Sequence, residues 1–328
     1  MPDYALFGGC LRSDIPFPEL REIPRGIATW TLRTAVEPCP ARQLELVHEA
    51  SAGDWRARLY RSASGHRIEF SDTGSFDISA NGAELTWYPA PAAPVHQARI
   101  NIVGPVLATA LHFAGYVSLH ASAVALHSHA VAFAAPPFHG KSTLALAMVT
   151  AGARLITDDM VPVDPAPPVT CLAGVPSIRL RDESVSHFMP DRMRSSAPVV
   201  DKHLLSDLPS DRVALEPVPL GAIYILTPVV AEPGCDAVRR TRLPPVQGAM
   251  TIIRHSRIGP ILGAHESAAF FPRAAAIADA VPVYTLAIAR DLDRMPEVVA
   301  QLLQWHGPAA QTRAMRAGSS PTPGDWTE

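Results

Sequence analysis

The sequence has little sulfur, little charge and no long apolar run. Its four cysteines, Cys10, Cys39, Cys171 and Cys235, are scattered through 328 residues without a CxxC pair. That spacing argues against both a zinc site and a disulfide framework and leaves reduced thiols as the reading. Charged residues make up only 18% of the chain and sum to a formal net charge of -3. Without a basic field there is no electrostatic case for a nucleic-acid or anionic-membrane partner, so any polyanion is expected to be small and held locally. No stretch reaches the roughly 18 apolar residues of a spanning helix. The N-terminus MPDYALFGGCLRSD lacks the basic-then-apolar order of a secretory signal. A cytoplasmic protein is the expectation.

What is present is enough apolar material, 48% of the residues, to bury a sizeable core. Residues 1–96 read as a β-rich, antiparallel module whose clearest hairpin runs from Phe76–Ala80 to Ala83–Trp87 around Asn81-Gly82. Pairing across that turn sets Ile78 opposite Leu85 and Phe76 opposite Trp87, all on one face. A Pro/Ala-rich link, Pro89–Pro94, leads into a buried helix over Ile100–Ala114, then into two apolar strands, Val117–Leu126 and Ala130–Ala135. Leu144, Ala147, Met148 and Ala151 repeat at helical spacing, with Gly152 placed to end that helix, and Arg154–Thr157 reads as a strand. The α/β domain extends over 97–308, with strands at Gly221–Thr227 and Val281–Ala287 and a helix from about Pro296. Its topology after residue 165 is not readable from pattern. Residues 309–328 are Ala/Ser/Pro/Thr-rich without periodicity and read as a disordered tail.

Between the second apolar strand and the following helix stands Ala135-Pro136-Pro137-Phe138-His139-Gly140-Lys141-Ser142-Thr143, which fits the phosphate-loop pattern GxxxxGK[ST] except at its first glycine. Such a loop surrounds phosphate oxygens with backbone N–H groups at a helix N-terminus, where aligned peptide dipoles favour negative charge. Lys141 would neutralise the terminal phosphates and the Ser142 hydroxyl would ligate Mg²⁺. Pro136 and Pro137 remove two N–H donors, so a modest nucleotide affinity is expected. Asp158 and Asp159 follow a strand and so stand where ligands bind in α/β sheets; one would accept a hydroxyl proton and the other bind Mg²⁺. A solvated strand end or helix cap is the alternative. His120, in the strand before the loop, reads by itself as a hydrogen-bonded strand residue as readily as a catalyst. His139 reaches either a phosphate or solvent. His127 and His129 read as turn residues without a role.

Taken together, residues 118–163 resemble the catalytic core of the HPr serine kinase/phosphorylase family, in which a strand histidine, a loop ending GKS or GKST and an Asp-Asp about seventeen residues beyond the lysine recur in that order. His120, Lys141, Ser142, Asp158 and Asp159 match. YALFGGCLRSDIPFPEL, GVPSIRLRDES, PLGAIYIL and VPVYTLAIARDLDRMPEVV further resemble single-chain HPr-kinase-like proteins, including those that phosphorylate lasso-peptide precursors. The resemblance implies a P-loop core of the kind shared with PEP carboxykinase, ATP and Mg²⁺ as cofactors, and transfer of the γ-phosphoryl group to a serine of a peptide or small protein. It implies Asp158 as base, Asp159 with Ser142 on the metal side, and His120 steadying the acidic site or a phosphate. Arg179 and Lys202 would contact substrate, and a homo-oligomer would be in keeping with relatives. The phosphorylase half-reaction is not expected, because its glycine-rich segment is absent. The competing readings are a non-catalytic nucleotide-binding scaffold, motivated by Ala135 and Phe138 at glycine positions, and a small-molecule kinase.

Overall fold

A computed structural model describes residues 1–37, 39–40, 43–53, 55–189, 203–230, 234–258 and 264–307; Lys202 and the tail 309–328 lie outside them. The first nine described strands are β1 (Asp3–Leu6), β2 (Gly9–Ser13), β3 (Glu22–Ile23), β4 (Trp30–Thr34), β5 (Glu45–Ala52), β6 (Trp55–Ser62), β7 (Gly65–Phe70), β8 (Gly74–Ser79) and β9 (Glu84–Pro89). They form one sheet in the order β3-β1-β2-β4-β9-β8-β7-β6-β5. The hairpin register is the one that pairing across Asn81-Gly82 requires, Phe76 beside Trp87 and Ile78 beside Leu85. All four side chains are buried. The ladder stops at Ile78–Leu85 because Ser79 leaves it: its hydroxyl donates to Asn81 Oδ1 at 2.7 Å and accepts the Glu84 N–H at 2.9 Å.

One feature differs from a purely antiparallel module: β4 lies parallel to both β2 and β9. The reason is connectivity: long excursions, residues 14–29 and the β5–β8 meander, separate these neighbours, and parallel partners need such crossovers where antiparallel ones need only a tight turn. Asp3 is buried, and its carboxylate is gripped by two Arg12 N–H groups, each at 2.8 Å.

The chain then enters α1 (Val95–Asn101), a π-type turn at Ile102–Val106 and α2 (Leu107–Phe113). The single helix expected over Ile100–Ala114 is thus interrupted at Gly104-Pro105, since proline removes an N–H from the helical ladder. The second sheet contains β10 (Val117–Leu119), β11 (Ala121–Leu126), β12 (His129–Ala134), β13 (Arg154–Thr157), β14 (Val161–Asp164) and β15 (Thr170–Cys171). A two-stranded piece follows, β16 (Ile178–Leu180) and β17 (His203–Leu205), and then the long β18 (Val218–Val229), β19 (Val238–Arg242) and β20 (Val283–Ala289). The helices are α3 (Lys141–Thr150), α4 (Asp182–Phe188), α5 (Pro245–Arg254), α6 (Ala264–Ala280) and α7 (Met295–His306).

Strand direction positions the site. β11 is antiparallel to both β12 and β13, so β12 and β13 run the same way; β18 and β20 run parallel to β12. The C-terminal ends of these four strands and the N-terminal end of β11 therefore share one edge of the sheet.

Alternation on β11 and β12 separates two cores. Ala121, Ala123, Ala125, Ala130, Ala132 and Ala134 face a core continuous with Tyr4, Trp30, Phe76 and Trp87 of the first sheet. Val124, Leu126, Val131 and Phe133 face α3 and α7. The small side chains let the helical run of α1 and α2 sit between the sheets. Gly82, with φ of 73°, closes this arrangement: a Cβ there would lie 2.7 Å from the Ala110 carbonyl oxygen of α2. We expect Gly82→Ala to destabilise the protein by at least about 1–3 kcal/mol from the left-handed backbone alone, read as a lowered urea midpoint. A midpoint equal to that of the unsubstituted chain would show that the turn does not clamp α2.

Candidate functional site

The loop of residues 135–140 leaves β12 at the shared edge and turns into α3. Gly140 makes the turn possible: it precedes the helix in the left-handed region at φ of 85°, and the space around it is empty, so the requirement is conformational. Phe138 takes φ of 67° without that freedom and turns its ring outward, where the Arg181 guanidinium lies 4.9 Å from the ring centroid. The first turn of α3 then offers backbone N–H groups that have no partner within the helix.

Lys141 is buried, and its ammonium is held inside the loop. It donates to the carbonyls of Ala135 at 2.9 Å and Pro136 at 3.2 Å, and it meets His120 Nε2 at 3.2 Å. An ammonium only donates, so Nε2 must accept and the neutral His120 carries its proton on Nδ1. That Nδ1–H donates to the Asp159 carbonyl at 3.1 Å. Burial first, and the Lys141 charge second, hold His120 down to about 4, with Asp159 opposing and Arg257 reinforcing.

Asp159 adopts φ of 70°, a left-handed conformation that Asp tolerates better than most residues. The consequence is that two adjacent carboxylates diverge. Asp158 turns inward, where Oδ1 accepts from the hydroxyls of Ser122 at 2.5 Å and Ser142 at 2.9 Å, and Oδ2 accepts the Arg179 N–H at 3.0 Å. Burial pushes its carboxyl up from the ordinary value; the three donors oppose the shift, and Asp159 adds to it. Asp159 turns outward, with Oδ2 3.2 Å from Arg257 Nη2 and Oδ1 3.4 Å from His120 Nδ1.

Arg257 arrives from the segment leaving α5, which runs beside β10: His120 N–H donates to the His255 carbonyl and Arg257 N–H to the Ser118 carbonyl, both at 2.7 Å. A cavity of about 380 Å³ extends from these groups along the shared edge. Lys141, Ser142, Asp158 and Asp159 line it on the loop side; Leu226, Pro228, Ile288, Leu292 and Met295, with Arg290 and Asp291 among them, line it from β18, β20, the turn after β20 and the start of α7.

No family model matches the chain, and no curated protein does. Among solved structures, the Hpr(Ser) kinase/phosphatase from Coxiella burnetii is similar over 62% of this chain and 99% of its own, at 12% identity and a TM-score of 0.31. A superposition that loose transfers no residue's role.

Of the residues singled out in the sequence, His120, Phe138, His139, Gly140, Lys141, Ser142, Thr143, Asp158, Asp159 and Arg179 line this cavity. Ala135 and Pro136 do not; they contribute carbonyls to Lys141 from beneath. His139 Nδ1–H donates to the Pro137 carbonyl at 2.8 Å, within its own loop. Thr143 pairs its hydroxyl with that of Ser184 at 2.8 Å. Ser142, expected with Asp159 on the metal side, donates its hydroxyl to Asp158. Arg179 meets Asp158 through its backbone. His129, read as a turn residue, is the first residue of β12, and its Nε2 lies 3.0 Å from His306 Nδ1. Ser122 and Arg257 were missed. Strand alternation carried a signal for Ser122, which shares a face with Val124 and Leu126 toward α3; Arg257 is 137 residues from His120 and had none.

Among the described residues no group of three or more His, Cys, Asp and Glu is arranged to hold a metal ion. The oxygen donors nearest the loop are Ser142 and Asp158. If the Lys141 charge helps keep His120 neutral, Lys141→Ala should raise the His120 pKa from about 4 toward the ordinary histidine value, whereas Asp159→Asn should lower it further. A ring-resonance titration by NMR reads both signs. Identical titrations in the two variants would remove Lys141 and Asp159 as its electrostatic neighbours.

Proposed function

We propose that this protein is a Mg-ATP-dependent kinase that transfers the γ-phosphoryl group to a serine hydroxyl of a peptide or small protein. The observation that carries the reading is the contact between Ser142, at the start of α3, and the buried Asp158 carboxylate, 2.9 Å apart in a cavity that also holds Lys141. Three groups of the kind phosphoryl transfer needs thus converge at a helix N-terminus: a cation, a hydroxyl and a carboxylate. The side chains of Pro228, Ile288, Leu292 and Met295 suit the faces of a nucleobase, with Arg290 and Asp291 near for its polar edge, which supports a nucleoside triphosphate over a bare phosphate.

Mg²⁺ fits the donor set, because it binds proteins through one or two carboxylates and hydroxyls while keeping waters and substrate phosphates as its other ligands. Ser142 with Asp158 or Asp159 would hold it, and it would supply neutralisation of the phosphate charge. The remaining steps belong to the chain. The first turn of α3 and the Gly140–Ser142 N–H groups bind phosphate oxygens. Lys141 exchanges its loop carbonyls for the terminal phosphates. Asp158 takes the acceptor's hydroxyl proton, and its raised pKa makes it a stronger base than an exposed aspartate. His120 holds Lys141 in register without adding charge. The cytoplasmic location belongs to the same proposal and rests on the scattered cysteines, read as reduced thiols; a lasso-peptide precursor as acceptor rests on the sequence resemblance alone.

The second reading is a nucleotide-binding scaffold without turnover. Phe138 favours it, because a bulky residue held at φ of 67° in the loop narrows the approach that a glycine would leave open. The two readings part on three measurements. Lys141→Ala should lower phosphoryl transfer by at least about a hundredfold. Asp158→Asn should retain Mg-ATP binding and lose about 10²–10⁴ in turnover, the usual worth of a general base. Because Asp158 acts deprotonated, kcat/KM should rise with pH through a pKa above the ordinary carboxylate value, and that limb should vanish in Asp158→Asn. Full activity in Asp158→Asn would remove it as the base; ATP binding with no transfer to any peptide would favour the scaffold.

A further inference from the structure

A second cleft, of about 350 Å³, opens on the other side of the acidic turn. Its walls come from parts of the chain with no place in the nucleotide cavity. Phe7, Pro18 and Glu19 belong to the N-terminal module, Ile100 and Val103 to the helical run, and Leu204 to β17. Asp158, Asp159 and Arg179 line both cavities, so the two meet at the carboxylates. Gly104 sits at the junction, where a Cβ would come within 3.4 Å of Arg257 Nη2.

The cleft is chemically plain. Phe7, Met160 and Val175 extend its apolar lining, while the flanking charges Glu19 and Arg99 face each other at 3.4 Å and largely cancel. Pro18, His96 and Leu204 on its rim are exposed, Leu204 by 53%. The acidic pair is itself engaged, Asp159 by Arg257 at 3.2 Å and Asp158 by its three donors, and Arg179 is the other charged residue on these walls. An extended chain with open ends would find apolar walls on either side of a carboxylate.

We propose that this cleft is the phosphoacceptor site, and that its ligand is a peptide segment whose hydroxyl residue is flanked by apolar side chains. The proposal rests on the kinase reading and adds to it the place and chemistry of the acceptor. No residue of the loop 135–140 lines this cleft, so a hydroxyl seated in it approaches Asp158 along a wall that the loop does not supply, as an attacking group opposite the leaving group needs. Its oxygen bonds to the γ-phosphorus as the bond from that phosphorus to the β–γ bridging oxygen breaks. The electron pair leaves with the nucleoside diphosphate, and the hydroxyl proton passes to Asp158. The N-terminal module then selects substrate, since it supplies the wall that the nucleotide never touches.

The test uses the full chain, radiolabelled Mg-ATP, and a library of short peptides with a fixed central serine and random flanks. The wild-type protein should label peptides with Leu, Ile, Val or Phe beside the serine. Leu204→Glu, at an exposed position where folding is not at stake, should raise the KM for the best such peptide about tenfold with kcat little changed, and should move the selected flanks toward Lys and Arg. Val246→Glu, on the exposed face of α5 away from the cleft, should change neither. Labelling without flank preference, an unchanged KM and preference in Leu204→Glu, or preferential labelling of free hydroxyl metabolites would overturn the acceptor assignment. Failure of the wild type to bind Mg-ATP at all would instead overturn the kinase reading beneath it.

Discussion

A carboxylate taken out of water must find donors or lose its charge, and much of the site's geometry follows from how Asp158 meets that requirement. Its three donors come from three separate places: Ser122 on β11, Ser142 on α3 and the Arg179 N–H on β16. Each can reach it only because β12 and β13 run in the same direction, with β11 reversed between them. The single carboxylate thus fastens a strand, a helix and a two-stranded flap to one edge of the sheet. Asp159 then has nowhere to go but outward, and its left-handed backbone sends it to His120 and Arg257. The polarity of the edge is settled by one buried group.

The same edge also keeps the two cavities apart. Parallel β18 and β20 deliver Pro228 and Ile288 to one side of the acidic turn, while the π-type turn between α1 and α2 delivers Val103 and Gly104 to the other. Neither side shares wall residues with its neighbour beyond the turn itself and Arg179. Substitutions on the N-terminal side can therefore alter one cavity without disturbing the loop that lines the other.

What the sequence disclosed about this arrangement was whatever lay close together along the chain. The GKST run, the downstream Asp-Asp and His120 lie within a span of forty residues, and the strand–loop–helix–strand order that carries them is local. The Asn81-Gly82 hairpin was legible for the same reason, with its inward face given by alternation. The parallel insertion of β4 and the contribution of β18, β20 and Arg257 to the cavity were not legible. They depend on strand order and register between segments separated by long stretches of chain, and no local pattern encodes those. Which of the two adjacent aspartates faces inward was likewise not legible, because the left-handed backbone at Asp159 that sets it leaves no mark in the local pattern.

The two prolines of the loop were first of interest for the N–H groups they lack. Their rings also fix φ, so residues 136 and 137 enter the folded state with little torsional freedom left to surrender. A glycine-rich loop must be ordered by whatever it binds, whereas this one is largely shaped beforehand, with Lys141 already tethered to its carbonyls. Fewer contacts to an anion are then offset by a smaller entropic cost of holding it. Ligand affinity at such a loop should accordingly depend little on how mobile the empty site is.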